Sequence, residues 1–253
     1  MKELYQQLAR RKAMRKFDCG LTLSREAQKE ILALTETLIP LTEGIEVKFR
    51  LVEKGGTTAK FGGYCLLLYS GKQPHYLLNA GYLLEQVDLL LAARDIGCCW
   101  LGLAKPDIPQ YEGLDYVIML TLGKSKPQDF RGGSRDFRRK SLDKIWSGAF
   151  DPLVTEAVRL APSACNCQPW RFASAENKIQ VYREPHPKTF IPPSQRPFLN
   201  SIDLGIALCF LDIALLHGDY AFSRVLQDGE EAAKGWLRIA EYQINEAIRG
   251  LEA

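Results

Sequence analysis

Two stretches of this chain, Leu78 to Ile96 and Ile202 to Leu216, are apolar around almost the whole circumference of a helix. A helix without a polar face has to be surrounded, so each stretch demands a core of its own or a shared one. The first does not suit a bilayer. The most apolar long segment, Tyr82 to Leu103, carries Glu85, Gln86, Asp88, Arg94 and Asp95, which hydrocarbon would not accept. The chain of 253 residues is long enough for one large core or two packed halves.

The segments around these helices alternate in period. Residues 2 to 14 repeat apolar and basic side chains at helical spacing and predict a helix running to the Arg15-Lys16-Phe17 run. Ser24 caps a second helix whose apolar positions are Ala27, Ile31, Leu34 and Leu38, with Pro40 marking its end. Residues 45 to 52, 64 to 69 and 115 to 121 read as strands. After residue 150 the cycle starts again. A helix over 151 to 160 stops at Pro162, short strands follow over 170 to 173 and 178 to 182, and a proline-rich connection leads into the second apolar helix. Residues 222 to 226 predict a strand, 236 to 242 a strand or helix, and 243 to 251 a weakly helical tail. Helix, strands, apolar helix and strand thus occur twice, which predicts an α+β fold with two similar halves, about 1–145 and 146–253.

Charge and cysteine content narrow the function. A net charge of +3 on 33 basic and 30 acidic residues is too weak for a nucleic-acid partner. Seven cysteines, several inside apolar runs, do not form the framework of a secreted scaffold. With no signal-peptide pattern at the N-terminus, a cytoplasmic location is expected. His75, His186 and His217 are scattered, so a Cys-His nucleophile or a metal site has no support. Neither a glycine-rich dinucleotide fingerprint nor a P-loop occurs.

Three segments carry the remaining chemistry. In Arg11-Lys12-Ala13-Met14-Arg15-Lys16-Phe17, a helical reading puts Arg11 and Arg15 one turn apart, able to converge on a phosphate. Taken alone, the run reads first as a solvated basic face. Six arginines and lysines between Arg131 and Lys144 raise the same two possibilities. From Pro162 to Trp170, Ser163, Asn166 and Gln168 sit between a proline and a tryptophan and can address a flat polar ligand. Cys165 and Cys167 lack redox or zinc spacing and read as small packing residues. Ile96 to Gly102 follows the first apolar helix and contains Cys98, Cys99 and Trp100.

Together these segments resemble the nitroreductase family. Arg11 to Phe17 is similar to its basic opening, Pro162 to Trp170 to its proline-serine-x-x-asparagine-x-glutamine-proline-tryptophan motif, and Cys98 to Gly102 to its cysteine-tryptophan segment. Arg138 to Ile145 resembles the basic segment that reaches the cofactor phosphate. The resemblance covers about residues 5 to 225. It implies a central mixed or antiparallel sheet flanked by helices, internally pseudo-duplicated, and FMN as cofactor. Arg11, Lys12, Arg15 and Arg139 would hold the phosphate. Pro162, Ser163, Ala164 and Asn166 would line the ribityl chain and ring edge, and Cys99, Trp100, Leu101 and Gly102 would pass along the ring. No catalytic side chain is implied.

NADH or NADPH would be the electron donor, with a small-molecule oxidant such as a nitroaromatic or quinone as acceptor. Phe190, Phe198 and Tyr64 are candidates for stacking, with core packing as their plainer reading. Two departures stand out. Ala13 replaces the family's serine, and the asparagine motif lies in the second half instead of soon after the opening arginines. The second departure predicts a monomeric pseudo-dimer with one FMN per chain, a further homodimer being compatible. A flavin-binding sensor or storage protein, or a flavin-modifying enzyme, is the alternative.

Overall fold

The computed structural model of the chain describes residues 1–17, 22–133, 137–232 and 235–245. It divides into two compact units: a continuous one, Ala9–Asp136, and a discontinuous one made of Met1–Leu8 with Phe137–Ala253.

The chain enters through a 3-10 turn, Lys2–Leu4, and α1, Tyr5–Arg10. The continuous unit then holds α2 (Arg25–Thr35), β1 (Val47–Glu53), β2 (Tyr64–Ser70), α3 (Tyr76–Ala92), β3 (Ile96–Leu101), β4 (Gln110–Tyr111) and β5 (Leu114–Lys124). Its antiparallel sheet has the order β1-β2-β5-β3, with β4 paired to β5. The Ser24 hydroxyl accepts from the amide of Ala27 at 3.1 Å and starts α2 as expected. Only Ile31 of that helix is fully buried, with Ala27, Gln28 and Leu34 half-buried beside it. By contrast, β2 is buried on both faces from Cys65 to Ser70, and α3 is buried around most of its circumference. One sheet face gathers Cys65, Leu67, Tyr69, Leu114 and Met119, each large apolar side chain contributing about 1.5–3 kcal/mol by leaving water.

The discontinuous unit holds α4 (Leu142–Ile145), β6 (Trp146–Ser147), α5 (Pro152–Arg159), β7 (Trp170–Ala175), β8 (Lys178–Arg183), α6 (Arg196–His217), β9 (Ala221–Leu226) and β10 (Leu237–Asn245). Its sheet order is β6-β7-β8-β10-β9, parallel at β6–β7 and antiparallel elsewhere. Tyr5 of the N-terminal piece stacks on His217 with ring centroids 3.8 Å apart and donates its hydroxyl to the Leu153 carbonyl. The class is α+β, with one antiparallel and one mixed sheet flanked by helices. Each unit repeats the pairing of a five-stranded sheet with one long apolar helix.

Three boundaries differ from the sequence reading. The helix over 2 to 14 ends at Arg10, because Arg11 turns inward and Ala13 forms a parallel bridge to Cys98. The helix over 78 to 96 ends at Ala92. Asp95 takes a left-handed φ of 57°, and Ile96 already belongs to β3. The second apolar helix begins at Arg196, since Pro197 suits a first turn, where no amide partner is needed. Leu237–Asn245 is a strand, and the rest of the tail lies outside the described residues. Among the described residues one helical stretch, Pro193–His217, is long and apolar enough to cross a membrane; 89% of its apolar window is buried inside the fold.

Candidate functional site

In the continuous unit, residues 11 to 17 run in an irregular extended path beside β3. The Met14 amide donates to the Cys98 carbonyl at 2.8 Å next to the Ala13–Cys98 bridge. Arg11 and Met14 face inward and are buried, whereas Lys12, Arg15 and Lys16 are exposed. Arg11 therefore does not converge with Arg15. Its Nη2 lies 2.9 Å from Oδ2 of Asp88, and its Nε lies 3.8 Å from Oε1 of Glu85. Trp100 joins the same pair, its indole N–H donating to Glu85 Oε2 and Asp88 Oδ2, each at 3.2 Å. Burial opposes the Arg11 charge, but Asp88 and Glu85 more than offset it and hold the guanidinium protonated. Burial pushes the Asp88 carboxyl up, with Arg11 pulling the other way.

The exposed members of this segment face a cavity of about 490 Å³ lined by Lys12, Arg15, Lys16, Phe17 and Lys126, with Asp129 at its wall. Lys12 also donates to the Asp129 carbonyl at 2.9 Å. Four cations around one opening suit a phosphate dianion, so the residues present fit the phosphate end of FMN without Arg11. A second cavity, about 610 Å³, shares Arg15, Lys16 and Phe17 and adds Phe61, Gly62 and Tyr64. Gly62 has φ +85°, and a Cβ there would stand 2.0 Å from Thr121 Oγ1, so only glycine fits this wall. Cys99, Trp100 and Leu101 lie on β3, with Gly102 in the turn that follows. Burial raises both the Cys98 and Cys99 thiols, the latter against the pull of Arg15 nearby. Neither is an activated nucleophile.

The discontinuous unit brings together Arg139, Pro162, Ser163, Ala164 and Asn166. Arg139 donates from Nε to the carbonyls of Leu160 and Ala161, and from Nη1 to Asn166 Oδ1 at 2.8 Å. Ser163 Oγ accepts from the Gln168 amide at 2.9 Å, and the Gln168 side chain accepts from the Lys140 amide at 2.9 Å. Cys165, Asn166 and Gln168 all take left-handed φ, at 49°, 54° and 47°. Three such residues within four positions mark a loop held against its backbone preference. Cys165 is exposed and so is no packing residue; Cys167 is buried against Ile191 and Leu199.

Beneath the loop, the Ala164 amide donates to Asp203 Oδ1 at 2.8 Å. Burial pushes Asp203 up to about 7, against the Ala164 and Cys167 donors.

Arg11, Lys12, Arg15 and Cys99 to Gly102 thus lie in one unit, and Arg139 with Pro162 to Asn166 in the other. Among the stacking candidates, Phe190 is 96% exposed and is not a core residue. Phe198 packs against the Cys167–Leu199 cluster, and Tyr64 lines the larger cavity while accepting from Gln28 Nε2 at 3.0 Å. Lys16, Lys126, Glu85, Asp88 and Asp203 escaped the sequence reading as site residues. The signal for the three acids was their place as charges in helices that are mostly apolar.

No curated protein matches the chain significantly. Among solved structures, a "putative nitroreductase" of Thermotoga maritima MSB8 aligns over 96% of this chain and 94% of its own, with a TM-score of 0.63 and 18% identity, a likeness of fold. A nitroreductase family protein of Clostridium novyi NT aligns over 50% of this chain and 87% of its own, with a TM-score of 0.40 and 15% identity. The family model described as "Putative TM nitroreductase" matches residues 3–215, and the chain belongs to that nitroreductase family.

Proposed function

We propose that the protein is an FMN-dependent oxidoreductase that passes reducing equivalents from NADH or NADPH to an organic acceptor such as a nitroaromatic or a quinone. The observation that carries this reading is the ring of Lys12, Arg15, Lys16 and Lys126 around one cavity, on a chain of nitroreductase ancestry. These cations would neutralise the FMN phosphate. Bound FMN would supply the two-electron chemistry, and the protein's part is to bind, orient and shield it. Edge strand β3 presents Cys99 to Leu101 at a fixed register, Cys99 opposite Thr121 and Trp100 opposite Leu120. The strained loop at Cys165–Gln168 keeps Asn166 locked by Arg139. One FMN per chain is the expected stoichiometry.

The test is an anaerobic absorbance spectrum of the protein reconstituted with FMN, before and after NADH or NADPH. Binding with bleaching of the flavin bands supports the oxidoreductase. Binding without bleaching indicates a sensor or storage protein, and no binding removes the cofactor assignment.

A further inference from the structure

We infer that Glu85 and Asp88 form a buried clamp that fixes the Lys12–Phe17 segment and Trp100 together, with Arg11 as a positioning residue that never touches the phosphate. The inference deepens the FMN reading of the same site but has a readout independent of it.

The two acids lie one turn apart on α3, 0% and 2% exposed, in a helix whose only other buried polar side chains are the amides of Asn79 and Gln86. Such a placement needs partners at once. Arg11 supplies one, at 1% exposure and 2.9 Å from Asp88. The Trp100 indole N–H supplies another, bridging both carboxylates. A guanidinium 1% exposed and turned toward two buried carboxylates is out of reach of a solvent-facing phosphate, even though its Nε and Nη2 make no hydrogen bond of good geometry, whereas Lys12, Arg15 and Lys16 point outward from the same segment.

The backbone around Arg11 is pinned on both sides. The Arg131 side chain donates to the Arg11 carbonyl, and the Arg131 amide donates to the Arg10 carbonyl at 3.0 Å. Arg10 pairs with Asp95, and its guanidinium sits 4.0 Å over the Phe130 ring. Further along, the Met14 amide meets the Cys98 carbonyl, and Ser125 donates to the Met14 sulfur at 3.0 Å. Removing the charge pair at the start of this path frees the segment whose outer side carries the cations. An aspartate buried beneath the strand cannot itself bind an anion, so any effect of Asp88 on phosphate affinity has to travel through the residues it holds, Arg11 and Trp100.

The experiment compares the full-length protein with Arg11→Gln, Asp88→Asn and the double variant, by amide exchange at Met14 without flavin and by the affinity ratio of FMN to riboflavin. The clamp predicts Met14 exchange faster by about tenfold or more in both single variants. It also predicts an FMN-to-riboflavin ratio lowered by a similar factor in each, with no further loss in the double variant. Unchanged Met14 exchange in Asp88→Asn overturns the proposal. So does a ratio lost in Arg11→Gln and kept in Asp88→Asn, the signature of a direct phosphate ligand. If the wild type binds neither flavin, the functional reading fails and Met14 exchange alone decides the clamp. If Arg11→Gln does not fold, Asp88→Asn and Glu85→Gln carry the same comparison.

Discussion

Asn166 is gripped from both ends of its amide by consecutive residues: Arg139 donates to its Oδ1 at 2.8 Å, and its Nδ2 donates to the Arg138 carbonyl at 2.8 Å. Its φ of 54° adds a backbone demand that asparagine tolerates and alanine does not. Asn166→Gly should therefore lose these two hydrogen bonds and the longer one its Oδ1 accepts from Gln168 Nε2 at 3.4 Å, about 1–2 kcal/mol in all at this exposed site. Asn166→Ala should lose about 1 kcal/mol more from its left-handed conformation. Urea unfolding of both variants checks the order.

The basic cavity makes a prediction about charge. Replacing Lys12, Arg15, Lys16 or Lys126 by Gln should weaken FMN about five- to tenfold each while leaving riboflavin nearly unchanged, because each loses one charge-assisted contact to phosphate. The loss should shrink as salt rises. Titration by quenching of flavin fluorescence measures both ligands in one format.

Asp203 makes a prediction about pH. Burial raises its folded value to about 7 from an unfolded 3.8, so the folded state holds the extra proton between these limits. Its full stability is present below the unfolded value and is lost as pH rises through about 7, a change on the order of 4 kcal/mol. Asn at this position keeps an acceptor for the Ala164 amide and carries no charge. Asp203→Asn should accordingly match the wild type near about pH 4 and exceed its stability near about pH 8. Melting temperatures of the two proteins across that range decide it; parallel curves would show that Asp203 stays ionised.

Gly148 separates conformation from packing. At φ +81°, a Cβ there would stand 1.9 Å from the Ser174 carbonyl oxygen, in the turn after the parallel β6–β7 pair. Gly148→Ala should cost about 3 kcal/mol or more, since both backbone and neighbour have to move. Gly55→Ala, with no atom within 4 Å, should be neutral or slightly stabilising. Denaturant midpoints of the two variants test the contrast.

Where periodicity and burial agree, the fold was legible: β2, α5 and β7 fall within a few residues of expectation because their apolar positions repeat at the period of the element that buries them. The end of α1 was not legible. Residues 11 to 14 keep helical spacing, and only the long-range pull of Glu85 and Asp88, with the bridge to Cys98, draws them out of the helix. The same competition hid the role of Arg11, which sequence spacing grouped with Arg15. At β3, only Arg94 and Asp95 interrupt the apolar run that continues from α3, and the switch at Asp95 is a backbone conformation that composition does not announce. The site segments themselves were visible as residue types, but which side chains the acids beneath them would meet was not, because partners 39 and 77 residues away leave no local pattern.

The division of the chain has a consequence for its birth. The Ala9–Asp136 unit is uninterrupted, so it can close while the ribosome is still adding the second half of the chain. The first eight residues belong to the other unit, where Lys2 pairs with Asp219 and Tyr5 stacks on His217. They emerge well before residues 217 and 219 and have to wait for α6 to be made before they find their place. In the interval α6 emerges without β9 and β10 beside it, so a chain halted shortly after His217 would expose a long apolar helix and become a substrate for chaperones.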